Sequence, residues 1–423
     1  MKRLHFQALR AILYLYTSTL FSGVTKINDI SPRRLFFKNL SNVLTDQNIL
    51  YALAISVFLP YPLTMAIVLM VTVLLLCRKK HRERLFVHKG SKALLPFFAL
   101  ALIMPVLYRH WVGLGAGILL ICIAIIGLFA RSALTVKIYE HMLDIITMLS
   151  VPIGIAVIIE RIFLKIFDPN NQDYFRCVSV FFNANYFATV VATVVIICAY
   201  KAGTHQGFRP KYFIIAGLNM ISAYLSGSLF VWVEIFVGVS LVFFLLKKHE
   251  MISGLLLGGG LFCFLIYFAP GLFLPRLGEA PVTTDRRIDI WRTALRAFFD
   301  SPLFGHGTLT YYQIYPHYEG SFPTSHAHNI LLDPLLSFGL VGTALLAVYV
   351  VCTLWMLLKC LRGRSDGRIT VLISAVTLAA AVHGTTDVTL LWVQTGLLFL
   401  LIVGGIDLAY RQTLRYTAQT TDT

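Results

Sequence analysis

The sequence predicts an all-α polytopic membrane protein with about twelve transmembrane helices and one large extracytoplasmic loop. Three observations carry this. Of 423 residues, 57% are hydrophobic and 13% charged, with a mean hydropathy of +0.76, whereas a soluble domain is about 25% charged. Apolar runs approaching the roughly 20 residues that cross a bilayer recur along the whole chain. Lysine and arginine fall between those runs in alternation, so that every second connection is basic.

Residues 1–46 form a cytoplasmic N-terminal segment. Lys2, Arg3 and Arg10 precede a short apolar stretch, Ala11 to Gly23, which leads into "SPRRLFFKN". That pattern predicts an amphipathic or re-entrant element rather than a cleavable signal. Spans 1 to 9 occupy 47–269, near 47–60, 62–77, 93–108, 112–130, 142–160, 183–200, 211–225, 227–246 and 251–269. The loop covers 270–331. Spans 10 to 12 occupy 332–407, near 332–358, 369–386 and 389–407, and 408–423 is a tail.

Charge orients these spans. "RKKHRER" (78–84), "ARSALTVK" (130–137), "KAGTHQGFRPK" (201–211), "KKHE" (247–250) and "LKCLRGRSDGR" (358–368) follow spans 2, 4, 6, 8 and 10. The positive-inside rule places all five, and both termini, in the cytoplasm. It also accounts for the net charge of +16 without a nucleic-acid partner. The connection from Gly271 to Asn329 then faces outside. It carries Arg276, Arg286, Arg287, Arg292 and Arg296 against Glu279, Asp285, Asp289, Asp300 and Glu319, with Trp291, Tyr311, Tyr312, Tyr315 and Tyr318. A loop of this length is functional or disordered, and its aromatics argue for order. Cys177 is the one cysteine in a predicted outer connection, so packing rather than a disulfide must hold the loop.

Within the loop, "TTDRRIDIWRTALRAFFDSPLFGHG" (283–307) predicts a helix over about 285–299. Ile288, Trp291, Leu295 and Phe298 recur at helical spacing and would pack onto the spans. Asp285 can cap the start, and Pro302, Gly305 and Gly307 mark the exit. Asp289 and Arg292 can pair on the exposed face, leaving Arg292 and Arg296 as solvated charges. Arg286 and Arg287 fall in the predicted first turn, where cations oppose the helix dipole. Asp285 can compensate, and so can an anionic ligand, because a helix N-terminus gathers anions and a guanidinium fork matches phosphate oxygens.

"TSHAHNI" (324–330) places His326 and His328 on one side of an extended segment. Zinc would need a third ligand from His306, His317 or Glu319, and no tight second pair exists. The other reading is a general base acting on a hydroxyl. Asn329 can cap the following helix. Glu234, Asp333, His383 and Asp387 are ionisable residues in or at the ends of spans, where such groups are costly. His383 and Asp387, four apart, could pair on a helix. Asp333 is one turn from Asn329 and could share its cavity, and Glu234 is either an ion-pair partner or a site residue.

"RRIDIWRTALRAFFDSPLFGHG" followed by "HAHNILLDPLLSFGLVG" resembles the signature of the bacterial O-antigen ligase/polymerase family. That signature is an arginine with a tryptophan four residues on, a helix ending in Pro-Leu-x-Gly-x-Gly, then His-Asn and a Gly-x-x-Gly entry to a span. "FNANYFATVV" (182–191) and "HGTTDV" (383–388) are similar to further family elements, and the resemblance covers roughly 180–400. It implies a GT-C-type glycosyltransferase-like protein of the bacterial inner membrane that takes a glycan from undecaprenyl pyrophosphate. The acceptor is a lipid or another glycan, at the outer face, in cell-surface polysaccharide biosynthesis. By the same resemblance Arg287 contacts the pyrophosphate and His328 is the base, with His326 at a less fixed position. Two positions depart from the pattern. Leu229 stands where a second pyrophosphate arginine is expected, and Ser337 where an acidic residue precedes Gly-x-x-Gly.

The mechanism so implied places the pyrophosphate against Arg287, with Arg286 or Arg176 beside it. His328 would deprotonate an acceptor hydroxyl that attacks the anomeric carbon with inversion. No cofactor and no metal are expected, since arginines can neutralise what a divalent ion otherwise would. Trp291 and the tyrosines can stack on sugar faces or rest among lipid headgroups. The competing classes are a flippase for the same lipid, which would show internal repeats and midplane charges, and a non-catalytic envelope assembly protein.

Overall fold

The computed structural model describes residues 44–167, 176–205, 207–363 and 367–421. The expected N-terminal amphipathic element lies outside them. Apart from the first residues of α1, everything below lies in the compact unit 49–423. Its described residues are helical with no strand. The helices are α1 (Asp46–Ser56), α2 (Tyr61–Cys77), α3 (Lys79–Leu85), α4 (Leu94–Leu107), α5 (Trp111–Ala133), α6 (Val136–Phe167), α7 (Ala184–Thr204), α8 (Pro210–Leu225) and α9 (Phe230–Leu245). They continue with α10 (His249–Phe268), α11 (Pro270–Phe273), α12 (Ala280–Asp300), α13 (Thr310–Ile314), α14 (Leu332–Arg362), α15 (Arg368–His383), α16 (Val393–Val403) and α17 (Ile406–Thr421).

Each of the twelve expected spans has a helical counterpart, and the protein is a polytopic membrane protein. Among the described residues, six helices are long and apolar enough to cross a bilayer: α5, α6, α7, α10, α14 and the run Val393–Gln419 through α16 and α17. The bent pair α2–α3 makes a seventh if counted as one span. The shorter segments fall below the test because the sequence punctuates them. Pro60 and Pro62 crowd the start of α2, and α3 turns away by 99° where the basic run begins.

Helix α7 sits at the centre. Nearly all of its residues are buried, as expected of a helix apolar on every side, and it packs on α6, α8, α9 and α15. Helix α10 is the opposite case, with no buried residue. Leu257, Leu261, Phe264 and Tyr267 point outward from it, a surface suited to hydrocarbon. Two cations that read as orientation markers in the sequence are instead buried in ion pairs. Arg131, 2% exposed, is bonded to Asp407, with His88 Nδ1 3.3 Å from the same carboxylate. Lys201 lies between Glu140 and Asp144 at 2.8 and 2.9 Å.

The long connection has a small core of its own. Ile290, Ala294 and Ala297 of α12 meet Tyr311, Ile314, Ala327 and Leu336, with Trp291 and Phe322 packed against them. All seven cysteines are free, so this packing, rather than a disulfide, orders the segment. The two sequence motifs also meet here. Helix α14 breaks at Gly339 (φ 64°, ψ −168°), and the "PLFGHG" segment passes through the break. Leu340 N–H donates to Pro302 O at 2.8 Å, Val341 N–H to Leu303 O at 3.0 Å, and Gly307 N–H to Ser337 O at 2.7 Å.

Gly339 is required twice over, by its left-handed φ and because a Cβ there would lie 2.3 Å from the Leu303 carbonyl carbon. Gly339→Ala is therefore expected to cost roughly 3 kcal/mol or more. Tryptophan-fluorescence melting in detergent should show a fall of several degrees. Gly115→Ala is the control, since a Cβ at Gly115 meets nothing within 4 Å, and it should melt like the parent.

Candidate functional site

Helix α12 starts earlier than its sequence suggests. It begins at Ala280 with Pro281 in the first turn and Glu279 at the cap position. Arg286 and Arg287 are therefore past the free N–H groups, and the expectation of an anion held by the helix N-terminus is overturned. Asp285 is likewise not the cap. The buried stripe is also rotated. It runs through Ile290, Thr293, Ala294 and Ala297, while Leu295 is 46% exposed. The alanines let α12 approach α14 closely, and that rotation brings half-buried Arg287 onto the inward side.

Arg287 opens into a cavity of about 320 Å³ that is also lined by Arg176, Arg276, Arg286, His328 and His383. Among the described residues, four arginines and one carboxylate residue, Glu279, line it. Aromatic faces support two of them: Arg287 lies 5.9 Å from the Phe230 ring centre and Arg286 5.1 Å from that of Phe322. Burial pushes the Arg287 guanidinium pKa down and nearby Asp387 opposes this, so it stays cationic. Leu229, standing where a second arginine was expected, lines the same cavity, and Arg276 donates to the Gly227 carbonyl beside it at 3.3 Å. Sequence reasoning counted Arg276 only as loop charge.

His328 is held in a left-handed backbone conformation (φ 50°), unusual for a non-glycine residue and the kind of strain that gathers at functional positions. Its Nδ1 is 3.1 Å from Asp387 Oδ1, and its Nε2 is 2.9 Å from the Thr324 hydroxyl. Asp387 is 1% exposed. It accepts from Asn185 Nδ2 at 2.7 Å and from Val388 N–H at 2.8 Å. Burial alone would push its carboxyl up, but the imidazoles of His328, His326 and His383 outweigh it and hold the pKa well below the usual carboxylate range. Asp387 is thus a carboxylate that fixes the His328 ring, with the proton on Nδ1 and the lone pair of Nε2 toward the Thr324 hydroxyl.

The expected His383–Asp387 pair does not form, because α15 ends at His383 and Asp387 lies in the turn beyond it. His383 Nδ1 instead meets Glu234 at 2.7 Å, both side chains buried. Asp333 is buried too and accepts from Ala327 N–H at 2.8 Å, without lining the cavity.

His326 is buried beneath His328, its Nδ1 accepting the His328 N–H at 3.3 Å and its Nε2 3.5 Å from Asp387. Burial, and then His328 alongside, push its pKa down to about 4, so it is neutral. Asn329 caps α14: its Oδ1 accepts from Leu331 and Leu332 N–H at 3.0 Å each, and its Nδ2 donates to Thr385 O. Trp291 is partly buried against the small core and is not among the residues lining the cavity.

One group among the described residues could hold a cation. His326, His328 and Asp387 offer ligand atoms within 4.8 Å of one another. The third ligand is thus Asp387, not His306, His317 or Glu319. His306 is instead 3.0 Å from the Ser301 hydroxyl and stacks on Tyr108 at 3.8 Å. The spacing suits a tetrahedral ion, and it equally suits a hydrogen-bonded carboxylate–imidazole pair, since Asp387 already receives two N–H donors.

Residues 212–347 match the family model described as O-antigen ligase. The matched stretch runs from α8 into α14 and includes Arg287, His328 and the Gly339 break. The chain is O-antigen ligase-like there. No curated protein matches it.

Proposed function

We propose that this O-antigen ligase-like membrane protein is a GT-C-type glycosyltransferase that moves a glycan from undecaprenyl pyrophosphate to an acceptor hydroxyl. The reaction takes place at the outer face of the bacterial inner membrane, in cell-surface polysaccharide biosynthesis. The observation that supports it best is a single cavity joining four guanidinium groups to a carboxylate-backed imidazole.

The steps follow from that arrangement. The donor's pyrophosphate lies against Arg287, Arg286, Arg176 and Arg276, with the prenyl tail among the spans. The acceptor hydroxyl takes the place of the Thr324 hydroxyl at His328 Nε2 and gives its proton to that nitrogen. Its oxygen bonds to the anomeric carbon as the bond from that carbon to the phosphate oxygen breaks, with inversion. The prenyl pyrophosphate leaves with the bonding electrons. Charge grows on it during the reaction, so the arginines stabilise the transition state more than the ground state. His326 and Asn329 hold the segment in place, and Asp387 fixes the tautomer of the base.

The direct test is purified protein in nanodiscs supplied with undecaprenyl-pyrophosphate-linked glycan and candidate acceptors. A new glycosidic bond is expected. Relocation of the lipid across the bilayer without bond formation would instead identify a flippase. Analysis of the product's reducing end distinguishes a ligase from a polymerase.

Asp387→Asn keeps the shape of the turn but can present an N–H to His328 and favour the wrong tautomer. Transfer is expected to fall about 10³-fold or more, by analogy with carboxylate-to-amide changes behind other catalytic histidines. The metal reading has the His326, His328 and Asp387 cluster in its favour. Under the hydrogen-bonded reading, chelator leaves transfer unchanged. Activity lost to chelator and restored by zinc would make these residues ligands.

A further inference from the structure

We propose that Glu279 is a resident counter-anion of the arginine cavity, occupying the edge of Arg276 that a diphosphate takes, so that the donor must displace it to bind. This rests on the reading of the cavity as a pyrophosphate site and adds Glu279 to it, in a role opposed to that of Arg276.

The geometry comes from a short local element. Arg276 and Glu279 flank the 3₁₀ turn Leu277–Glu279 that leads into α12. The Glu279 carboxylate meets the guanidinium in a two-point fork, Oε1 accepting from Nε at 3.2 Å and Oε2 accepting from Nη2. The remaining Nη1 donates to Gly227 O and ties the group to the wall that Leu229 also forms. Carboxylate and phosphate offer the same spaced pair of oxygens to a guanidinium fork. Glu279 therefore fills the donor edge that would otherwise receive a phosphate.

Three further facts make this more than a surface ion pair. Among the described residues lining the cavity, Glu279 is the one carboxylate, against four arginines. The Arg276 hydrogen bond, with Arg176 and Arg286 behind it, holds its carboxyl below the usual range. Glu279 precedes the first turn of α12, and its side chain makes no capping bond to the helix. It is committed to Arg276 instead. The Glu279 side chain is also 56% exposed, so it can swing into solvent without leaving a buried gap. Once the glycan has moved, its return to Arg276 would compete with the bound prenyl pyrophosphate and speed release.

A purely structural ion pair and a displaceable counter-anion differ in sign. If the pair only staples the entry to α12, Arg276→Gln and Glu279→Gln both loosen the cavity and both weaken binding. If Glu279 competes with phosphate, the two substitutions act in opposite directions.

Binding of farnesyl pyrophosphate and of inorganic pyrophosphate to the full chain in nanodiscs, by calorimetry, reads this without turnover. Glu279→Gln should bind both roughly fivefold tighter, as expected for removing one carboxylate from a partly solvated cluster. Arg276→Gln should bind both more weakly, and Glu279→Ala should repeat the gain. Melting temperatures close to the parent's confirm folding. If Glu279→Gln and Glu279→Ala bind as the parent does or more weakly, Glu279 is not a competitor. A gain confined to the farnesyl compound would place the effect at the prenyl chain and also overturn the proposal. Arg287→Gln tests the underlying reading separately: if it too leaves both ligands bound as before, the cavity is not a pyrophosphate site.

Discussion

Replacing His328 with alanine is expected to reduce glycan transfer by about 10²–10⁴-fold, the range that a positioned general base supplies. Donor binding should change little, because the four arginines remain. The left-handed backbone at His328 (φ 50°) complicates alanine, since a Cβ-bearing residue without a compensating side chain tolerates that conformation poorly. Asparagine tolerates it well and cannot act as the base. His328→Asn should therefore be as inactive as His328→Ala while melting closer to the parent. Radiolabelled lipid-linked glycan followed into product at saturating donor gives the rate. Retention of transfer within about tenfold in both variants, far less than general-base loss produces, would remove His328 from that role.

Arg287→Gln is expected to lower kcat by about 10²–10³-fold, comparable to deleting one donor that meets developing negative charge. The loss should exceed any change in donor affinity, because charge on the departing pyrophosphate is greater in the transition state than in the bound donor. Arg287→Lys keeps the charge but not the planar fork, and should recover only part of the rate. Arg292→Gln is the internal control. Its guanidinium is 68% exposed, on the far side of α12, paired with Asp289 at 3.4 Å, and its loss should leave the rate where it was. Equal effects at Arg287 and Arg292 would mean that α12 matters only for its fold.

Much of this molecule is legible in its sequence. Composition and the recurrence of apolar runs point to a polytopic helical membrane protein, because continuous apolar runs of that length suit helices, which satisfy their backbone groups internally. The motif pair in the long connection also drew attention to Arg287 and His328, which line one cavity. Local pattern was weaker at fixing helix ends. A start at Asp285 was plausible from capping chemistry, yet α12 begins five residues earlier, at Ala280, with Pro281 in its first turn, and Arg286 and Arg287 then lie beyond the free N–H groups. One residue of rotation likewise moved the buried stripe from Leu295 to Ala294.

The sequence by itself determined the helices, the placing of polar chemistry in one long connection, and the residue types available there. All of these depend on neighbours within a few residues. Only the tertiary structure decided which of those residues meet. His328 finds Asp387, 59 residues away, where spacing alone had paired Asp387 with His383, which turns to Glu234, 149 residues away. Arg276 and Arg176 join Arg287 at a cavity wall where Leu229 left a gap, and "PLFGHG" threads the break at Gly339. In a membrane bundle several carboxylates and imidazoles are chemically interchangeable partners. Helix rotation and the closing of long loops choose among them, and neither is encoded in the spacing of residues along the chain.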